Sequence, residues 1–339
     1  MRTTRRLRRV SLSLFVLLLV LGGTYYFFVR QPQQACFPWD AQQLPGIVEG
    51  KTYLFVAMGH CNSVLALDTS ARTVAAHVSI PGRFPHGLYV DRDHHRLYVA
   101  NERSDDLAVV SLPAFTYERS IAVGAFPPDV TVAGDKIWTA DFKGNSVTVI
   151  DRVTFDGATT IASPAATHFA LAPDGQTVYV SNWKANAVSV IDANAATIIK
   201  VIPVGKRPNH LTFSRDGQFV YVTNYKGNSV TVIDHRAQRV VREIPVGKRP
   251  MTPIATPEAL YVANIKSGSI SVIDRKRHAP VATIDVGGSA QHMALVGQVL
   301  YVTNPPLQNV QVIDITTNKL TGAIFTGPSP QQIAPRYVP

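Results

Sequence analysis

The sequence predicts an all-β protein: a seven-bladed β-propeller of four-stranded blades, closed by its C-terminal strand and preceded by one N-terminal transmembrane helix. Three observations predict it. A short apolar pattern, in most copies ending in Asn or Asp, recurs seven times with a period near 40 residues. The segments between its copies are short alternating runs divided by turn residues. An uncharged run of twenty residues stands behind a cluster of arginines near the N-terminus.

The N-terminal element comes first. Arg2, Arg5, Arg6, Arg8 and Arg9 make residues 1–9 a basic segment, and residues 10–29 carry no charge. Twenty residues rise about 30 Å as an α-helix, the thickness of a bilayer's hydrocarbon core. Arginines on the N-terminal flank hold that end in the cytoplasm. The rest of the chain is therefore expected across the inner membrane, in the periplasm or outside the cell, held by a single-pass span. Gly22 and Gly23 are followed by more apolar residues, which favours an uncleaved signal anchor over a cleaved signal peptide. Residues 30–52, rich in Gln and Pro and without a period, read as a linker.

Residues 53–339 hold the repeats. Phe55, Tyr98, Trp138, Tyr179, Tyr221, Tyr261 and Tyr301 stand at equivalent places, 40 to 43 residues apart. Thirteen residues after each comes Asp68, Ser111, Asp151, Asp192, Asp234, Asp274 or Asp314. A fixed period of this length marks a repeat architecture. Within one unit the runs alternate and are β-branched, as in Ser229-Val230-Thr231-Val232-Ile233-Asp234, and turn signals such as Lys226-Gly227-Asn228 and Arg215-Asp216-Gly217 separate them. Four short strands per unit is a propeller blade. The first unit starts at Tyr53 without an innermost strand, and a spare strand follows Gly327-Pro328-Ser329-Pro330. The spare strand is expected to complete blade 1 and leave few free sheet edges.

Composition narrows the chemistry. The chain is 46% hydrophobic and only 17% charged, below the roughly 25% charged of ordinary domains. Its formal charge is +10, but six arginines before residue 31 leave the remainder at only +4. Two cysteines exclude a disulfide scaffold, a Cys-ligated zinc or iron–sulfur site and covalent c-type haem. Cys36 and Cys61 are expected to bond to each other, because the anchor places both in an oxidising compartment.

Tyr221-Val222-Thr223-Asn224 and Tyr301-Val302-Thr303-Asn304 are literal copies of a known signature. Tyr-Val-Ala-Asn at 98 and 261 and Tyr-Val-Ser-Asn at 179 are variants of it, and Val-Ile-Asp and Val-Gly-x-x-Pro accompany them. By these residues the region 53–339 resembles the YVTN-repeat β-propeller family and its YncE-like exported members. It is similar in blade pattern to the d1-haem domain of cytochrome cd1 nitrite reductase, to streptogramin lyases and to lactonase propellers. The resemblance implies the fold, and its relatives span binding, redox and other enzymatic roles.

Propeller topology sorts the remaining residues by face. Turns between the second and third strands supply Lys143, Lys184, Lys226 and Lys266. Connections between blades supply Arg83, Lys206, Arg207, Lys248 and Arg249. Both sets are expected on one basic top face, with the aspartates ending the third strands, Asp174 and Asp216 on a more acidic bottom. The two positions opening each innermost strand face the channel mouth, where His86, Asp129, His168, His210, Thr252 and His292 form a candidate ligand-binding set. Histidine suits proton transfer or metal ligation near neutrality. Phe142, Trp183 and Tyr225, each followed by Lys, fit packing between blades.

The expected function is a ligand- or protein-binding or scaffold module, monomeric, taking an anionic small molecule or a protein partner on the basic face. The membrane is the partner of residues 10–29, and nucleic acid is not an expected one. No cofactor is required, and a non-covalent haem or a metal ion at the histidines stays open. So does an enzyme of lyase or lactonase type, against which the channel slots hold no Glu and only Asp129 as a carboxylate.

Overall fold

The computed structural model describes residues 16–21, 24–29, 36, 44–48 and 50–337. The chain divides into two compact units, Met1–Cys36 and Phe37–Pro339. In the first, Val16–Leu21 and Thr24–Val29 pair antiparallel, Val16 opposite Val29 and Leu21 opposite Thr24. This differs from the single membrane helix expected over 10–29, whose other residues lie outside the described ones. Val, Tyr and Phe are strand formers as well as apolar residues, so the composition that suggested a span also supports a hairpin. Among the described residues no helix is long and apolar enough to cross a membrane.

The second unit is seven antiparallel sheets of four strands each. In six of them the chain runs from the innermost strand outward. Blade 1 is the exception, ordered Pro330–Tyr337, Thr52–Met58, Ser63–Asp68 and Thr73–Ser79. Phe55 pairs with Ala334 and Leu54 with Pro335. The C-terminal strand thus supplies the missing innermost strand of the N-terminal blade, as the repeat count requires. Leu44 and Ile47, in the expected linker, pack against this blade, and Gly46 N donates to Ala75 O at 2.8 Å.

No single core fills the ring. Seven apolar clusters each join two neighbouring blades. Strand alternation explains this: Tyr53, Phe55 and Ala57 face blade 2, while Leu54, Val56 and Met58 face blade 7. The second and third strands are buried on both faces, and small hydroxyl residues such as Thr148, Ser189 and Thr231 alternate with the apolar ones in the third. The outermost strands of blades 2 to 7 are mostly exposed, as in Thr197–Pro203, whereas that of blade 1, Thr73–Ser79, is mostly buried.

One contact repeats where blades join. In five blades the connection into the blade crosses the end of its second strand, and a glycine in the connection rests on the Asn or Asp there. The pairs are Gly82 with Asn101, Gly124 with Asp141, Gly205 with Asn224, Gly247 with Asn264 and Gly288 with Asn304. A methyl at any of these glycines would overlap the amide or carboxylate beneath it. The buried Asn is itself held by the third strand: Asn224 Nδ2 donates to Ser229 Oγ at 2.9 Å and to Thr231 Oγ1 at 2.8 Å. In blade 4 Ser163 replaces the glycine and donates to Asn182 Oδ1 at 2.6 Å. Gly205→Ala should therefore lower stability by about 1–3 kcal/mol, the effect of displacing a buried, hydrogen-bonded polar group. Lys206→Ala, at the exposed next position, should stay within about 0.5 kcal/mol of wild type. Urea denaturation of both variants checks the difference.

Candidate functional site

The same connection aims side chains into the channel. After Gly205 and Lys206 comes Arg207, with φ of 55°, and its N–H donates to Asn186 Oδ1 of the preceding blade at 2.9 Å. Pro208 opens the innermost strand Pro208–Phe213, and the register shifts between Pro208 and Leu211. That irregularity leaves the Asn209 and His210 backbone outside the regular ladder. A hydroxyl takes over: His210 N donates to Thr223 Oγ1 at 3.1 Å, and Thr223 Oγ1 donates to His210 O at 3.1 Å. Thr303 holds His292 in the same way (3.0 and 3.4 Å), and Ser181 holds His168 (3.2 and 3.4 Å).

Four histidines from blades 2, 4, 5 and 7 meet there. Ring centres of His292 lie 5.0 Å from His86 and 5.1 Å from His210. His168 lies 6.2 Å from His86 and stacks on His210 at 3.4 Å. All four are buried, with exposures of 9% for His86, 4% for His168, 5% for His210 and 1% for His292. His86 Nδ1 donates to Pro128 O at 2.8 Å, and Glu102 Oε1 stands 3.8 Å from the same nitrogen. Thr252 Oγ1 lies 3.4 Å from His292 Nδ1. Both ring nitrogens of His168, both of His210 and Nε2 of His292 have no hydrogen-bond partner. Among the described residues, no three His, Cys, Asp or Glu side chains stand as a ready metal site.

Asp129 is buried beside them, accepting from Phe169 N at 3.1 Å and from Gln332 Nε2 at 3.2 Å. The six expected channel residues therefore share one end of the channel. Sequence reasoning did not single out Ser181, Thr223, Thr303, Glu102 or Gln332. The hydroxyls left a signal. The third position of the Tyr-Val-x-Asn pattern is Ser or Thr in blades 4, 5 and 7 and Ala in the others, and those three blades carry His168, His210 and His292.

Around this mouth the two loop families do meet. Lys226 N donates to Lys206 O and Lys266 N to Lys248 O, both at 3.1 Å. Arg83, Lys143, Lys184, Lys206, Arg207, Lys226, Lys248 and Lys266 are exposed, and Arg249 is half-buried. Half-buried aromatic rings form an arc below them: Phe126, Phe142, Trp183 and Tyr225 follow one another at 6.1, 6.4 and 5.1 Å. Lys143 lies over Phe126, Arg207 over Trp183 and Arg249 over Tyr225. On the bottom face turn side chains and amides hold carboxylates in the ionised form, and two arginines pair with others. Asp151, Asp192, Asp234, Asp274 and Asp314 accept from amides of their own turns. Arg152 binds Asp91 and Asp93, and Arg275 binds Asp216.

Burial sets the protonation states. It holds His168, His210 and His292 well below the ordinary histidine range, with neighbouring imidazoles adding to the effect. It pushes Asp129 up to about 6 and raises Glu102. Below about pH 6.5 the unfolded chain takes protons on the three histidines and the folded chain does not, so each weakens folding by about 1.4 kcal/mol per pH unit. The two carboxyls act oppositely, since the folded state protonates first. Three groups outweigh two, and stability should fall between pH 7 and 5. Denaturation midpoints of wild type and of a His168→Leu, His210→Leu, His292→Leu variant check this. The variant should lose less stability over that interval.

Comparisons with known proteins agree with the architecture. The YncE-like β-propeller family matches residues 57–260. An uncharacterized YncE protein of Salmonella typhimurium is 23% identical over 195 residues, 56% of this chain. The match spans 55% of that relative's length. The periplasmic gluconolactonase PpgL of Pseudomonas aeruginosa superimposes with a TM-score of 0.72 at 18% identity, over 85% of this chain and 100% of its own. The dihydro-heme d1 dehydrogenase NirN does so with 0.67 at 13% identity, over 90% of this chain and 79% of its own. At these identities the likeness is one of fold.

Proposed function

This chain belongs to the YncE-like β-propeller family, and from that premise we propose that it is an extracytoplasmic, membrane-tethered binding module. Its ligand site is the histidine-bearing mouth of the channel. One observation carries the reading: five imidazole nitrogens of three buried histidines lack hydrogen-bond partners. A buried polar group without a partner costs roughly 1–3 kcal/mol, and native proteins keep few of them. A bound ligand that pairs with them accounts for their retention. The exposed Lys and Arg above the mouth give a field that draws anions toward it.

Location rests on separate grounds. Both cysteines are disulfide-bonded, and the chain has two. Disulfides persist in oxidising compartments, and the arginine-flanked apolar run supports a tether to the inner membrane. An isolated hairpin leaves backbone groups unpaired and cannot cross hydrocarbon, so insertion requires residues 10–29 to become helical.

A second reading, an enzyme, is favoured by Asp129. A buried carboxyl raised to about 6 beside imidazoles can exchange a proton near neutrality. One structural neighbour is a gluconolactonase and another a dihydro-heme d1 dehydrogenase by name. Protein purified from its own host decides among these. Native mass spectrometry should find an added mass that disappears in a His168→Ala, His210→Ala, His292→Ala variant. A bare chain mass in the wild type contradicts the binding reading, and a visible haem band identifies a tetrapyrrole ligand.

A further inference from the structure

We infer that the basic face around the channel mouth is a docking surface for anionic phospholipid headgroups, those of the membrane that holds the tether. The inference goes beyond the histidine site and rests on the reading above only for the tether.

Charge is the first support. Turns between the second and third strands put Arg103, Lys143, Lys184, Lys226 and Lys266 on this face, one from each of blades 2 to 6, and all are exposed. Among the described residues no ion pair takes up any of them. The opposite face differs: Arg152 pairs with Asp91 and Asp93, Arg275 with Asp216 and Arg277 with Asp274. Two exposed carboxylates of the basic face accept from backbone amides, Asp105 from Phe126 N at 2.8 Å and Asp285 from Gly287 N at 3.0 Å. Cations spread along an arc without partners repel one another, and an anionic surface relieves that repulsion along its whole length.

The rings beside the cations are the second support. Each of the four lysines follows an apolar residue of its own turn, Phe142, Trp183, Tyr225 or Ile265, and all four are half-buried. Lys143 Nζ lies 4.2 Å from the centre of the Phe126 ring. Aromatic residues next to lysines suit the level of lipid headgroups, where the ring sits at the apolar boundary and the lysine stem reaches to phosphate. A free anion needs the charge but not the rings.

The gap in the arc is the third support. Blade 7 has Pro305-Pro306-Leu307 in this turn, with Leu307 45% exposed. Blade 1 has the turn Gly59–Cys61. Both cysteines of the chain are disulfide-bonded. Cys36 stands seven residues past the apolar run of 10–29, a reach of at most about 25 Å. A tether fastened to Cys61 turns this face toward the bilayer and brings Leu307 to the lipid. The anions that the basic field draws are then headgroups.

The test places full-length protein, its disulfide intact, in nanodiscs of phosphatidylcholine or of an equal mixture with phosphatidylglycerol. An amine-reactive ester labels the lysines, and peptide mass spectrometry reads each one. Lys143, Lys184, Lys226 and Lys266 should label about fivefold more slowly in the mixed discs, the gain of one basic residue at an anionic surface. Lys276 and Lys319, exposed on the opposite face, should label alike in both. At about 1 M salt, where charges are screened beyond about 3 Å, the difference should disappear. In a Lys226→Glu, Lys266→Glu variant it should disappear at Lys143 and Lys184 as well. Equal labelling in both discs, or slowing at Lys276 and Lys319 instead, overturns the inference while the tether stands. Equal slowing by soluble glycerol phosphate in neutral discs overturns it in favour of a free anion. If the protein stays out of neutral discs but the same lysines are shielded by mixed ones, the docking face stands and the tether falls. Association with neither overturns both.

Discussion

Everything in this propeller depends on how closely the connection between blades passes over the buried Asn or Asp of the next blade. Gly205 and Asn224 show the constraint: no Cβ fits between the connection and the side chain below it. Asn224 in turn is fixed by Ser229 and Thr231. The contact recurs where the chain enters blades 2, 3, 5, 6 and 7, Ser163 takes the glycine's place in blade 4, and apolar clusters fill the space between neighbouring sheets. Closure through the C-terminal strand then follows, because blade 7 and blade 1 share a cluster like any other pair.

The constraint also reaches the site. In blade 5 the chain is at Pro208 three residues beyond Gly205, and two more bring His210 to the channel; in blades 4 and 7 Ala166 and Ala290 stand two residues before the histidine. In blades 4, 5 and 7 the histidine N–H there donates to the hydroxyl of Ser181, Thr223 or Thr303. The hydroxyl of the repeat signature therefore has a local task, holding a histidine at the mouth. The scaffold places both ring nitrogens of His168 and His210 and Nε2 of His292 where no hydrogen-bond partner meets them. Local rules broken against an otherwise consistent fold are characteristic of functional sites.

Much of this was legible in the sequence. The period and the missing innermost strand of blade 1 dictated seven closed blades. Counting two positions past each Gly-x-x-Pro slot brought His168, His210 and His292 to one end of the channel, and His86 joins them although it stands one position earlier. Other features were not legible. Glu102 lies outside the counted slots and reaches the site through its ion pair with His86, and Gln332 fills a counted slot but was not singled out among its titratable neighbours. The aspartates ending the third strands also have a local task that the pattern did not show: their Oδ1 atoms accept from turn amides a few residues on. Residues 10–29 are apolar and also rich in strand formers, so hydropathy alone did not fix a helix for Val16–Leu21 and Thr24–Val29.

The account stands on three histidines that are buried, uncharged and gathered in one place. Histidine-labelled protein followed by nitrogen-15 NMR measures this directly, since protonated and neutral imidazoles have different shifts. Between pH 7.5 and 5.5 the account predicts three histidines that remain neutral, identified by the loss of their signals in His168→Leu, His210→Leu and His292→Leu. Protonation of those three near the ordinary value of about 6.5 would place them in solvent and contradict the account.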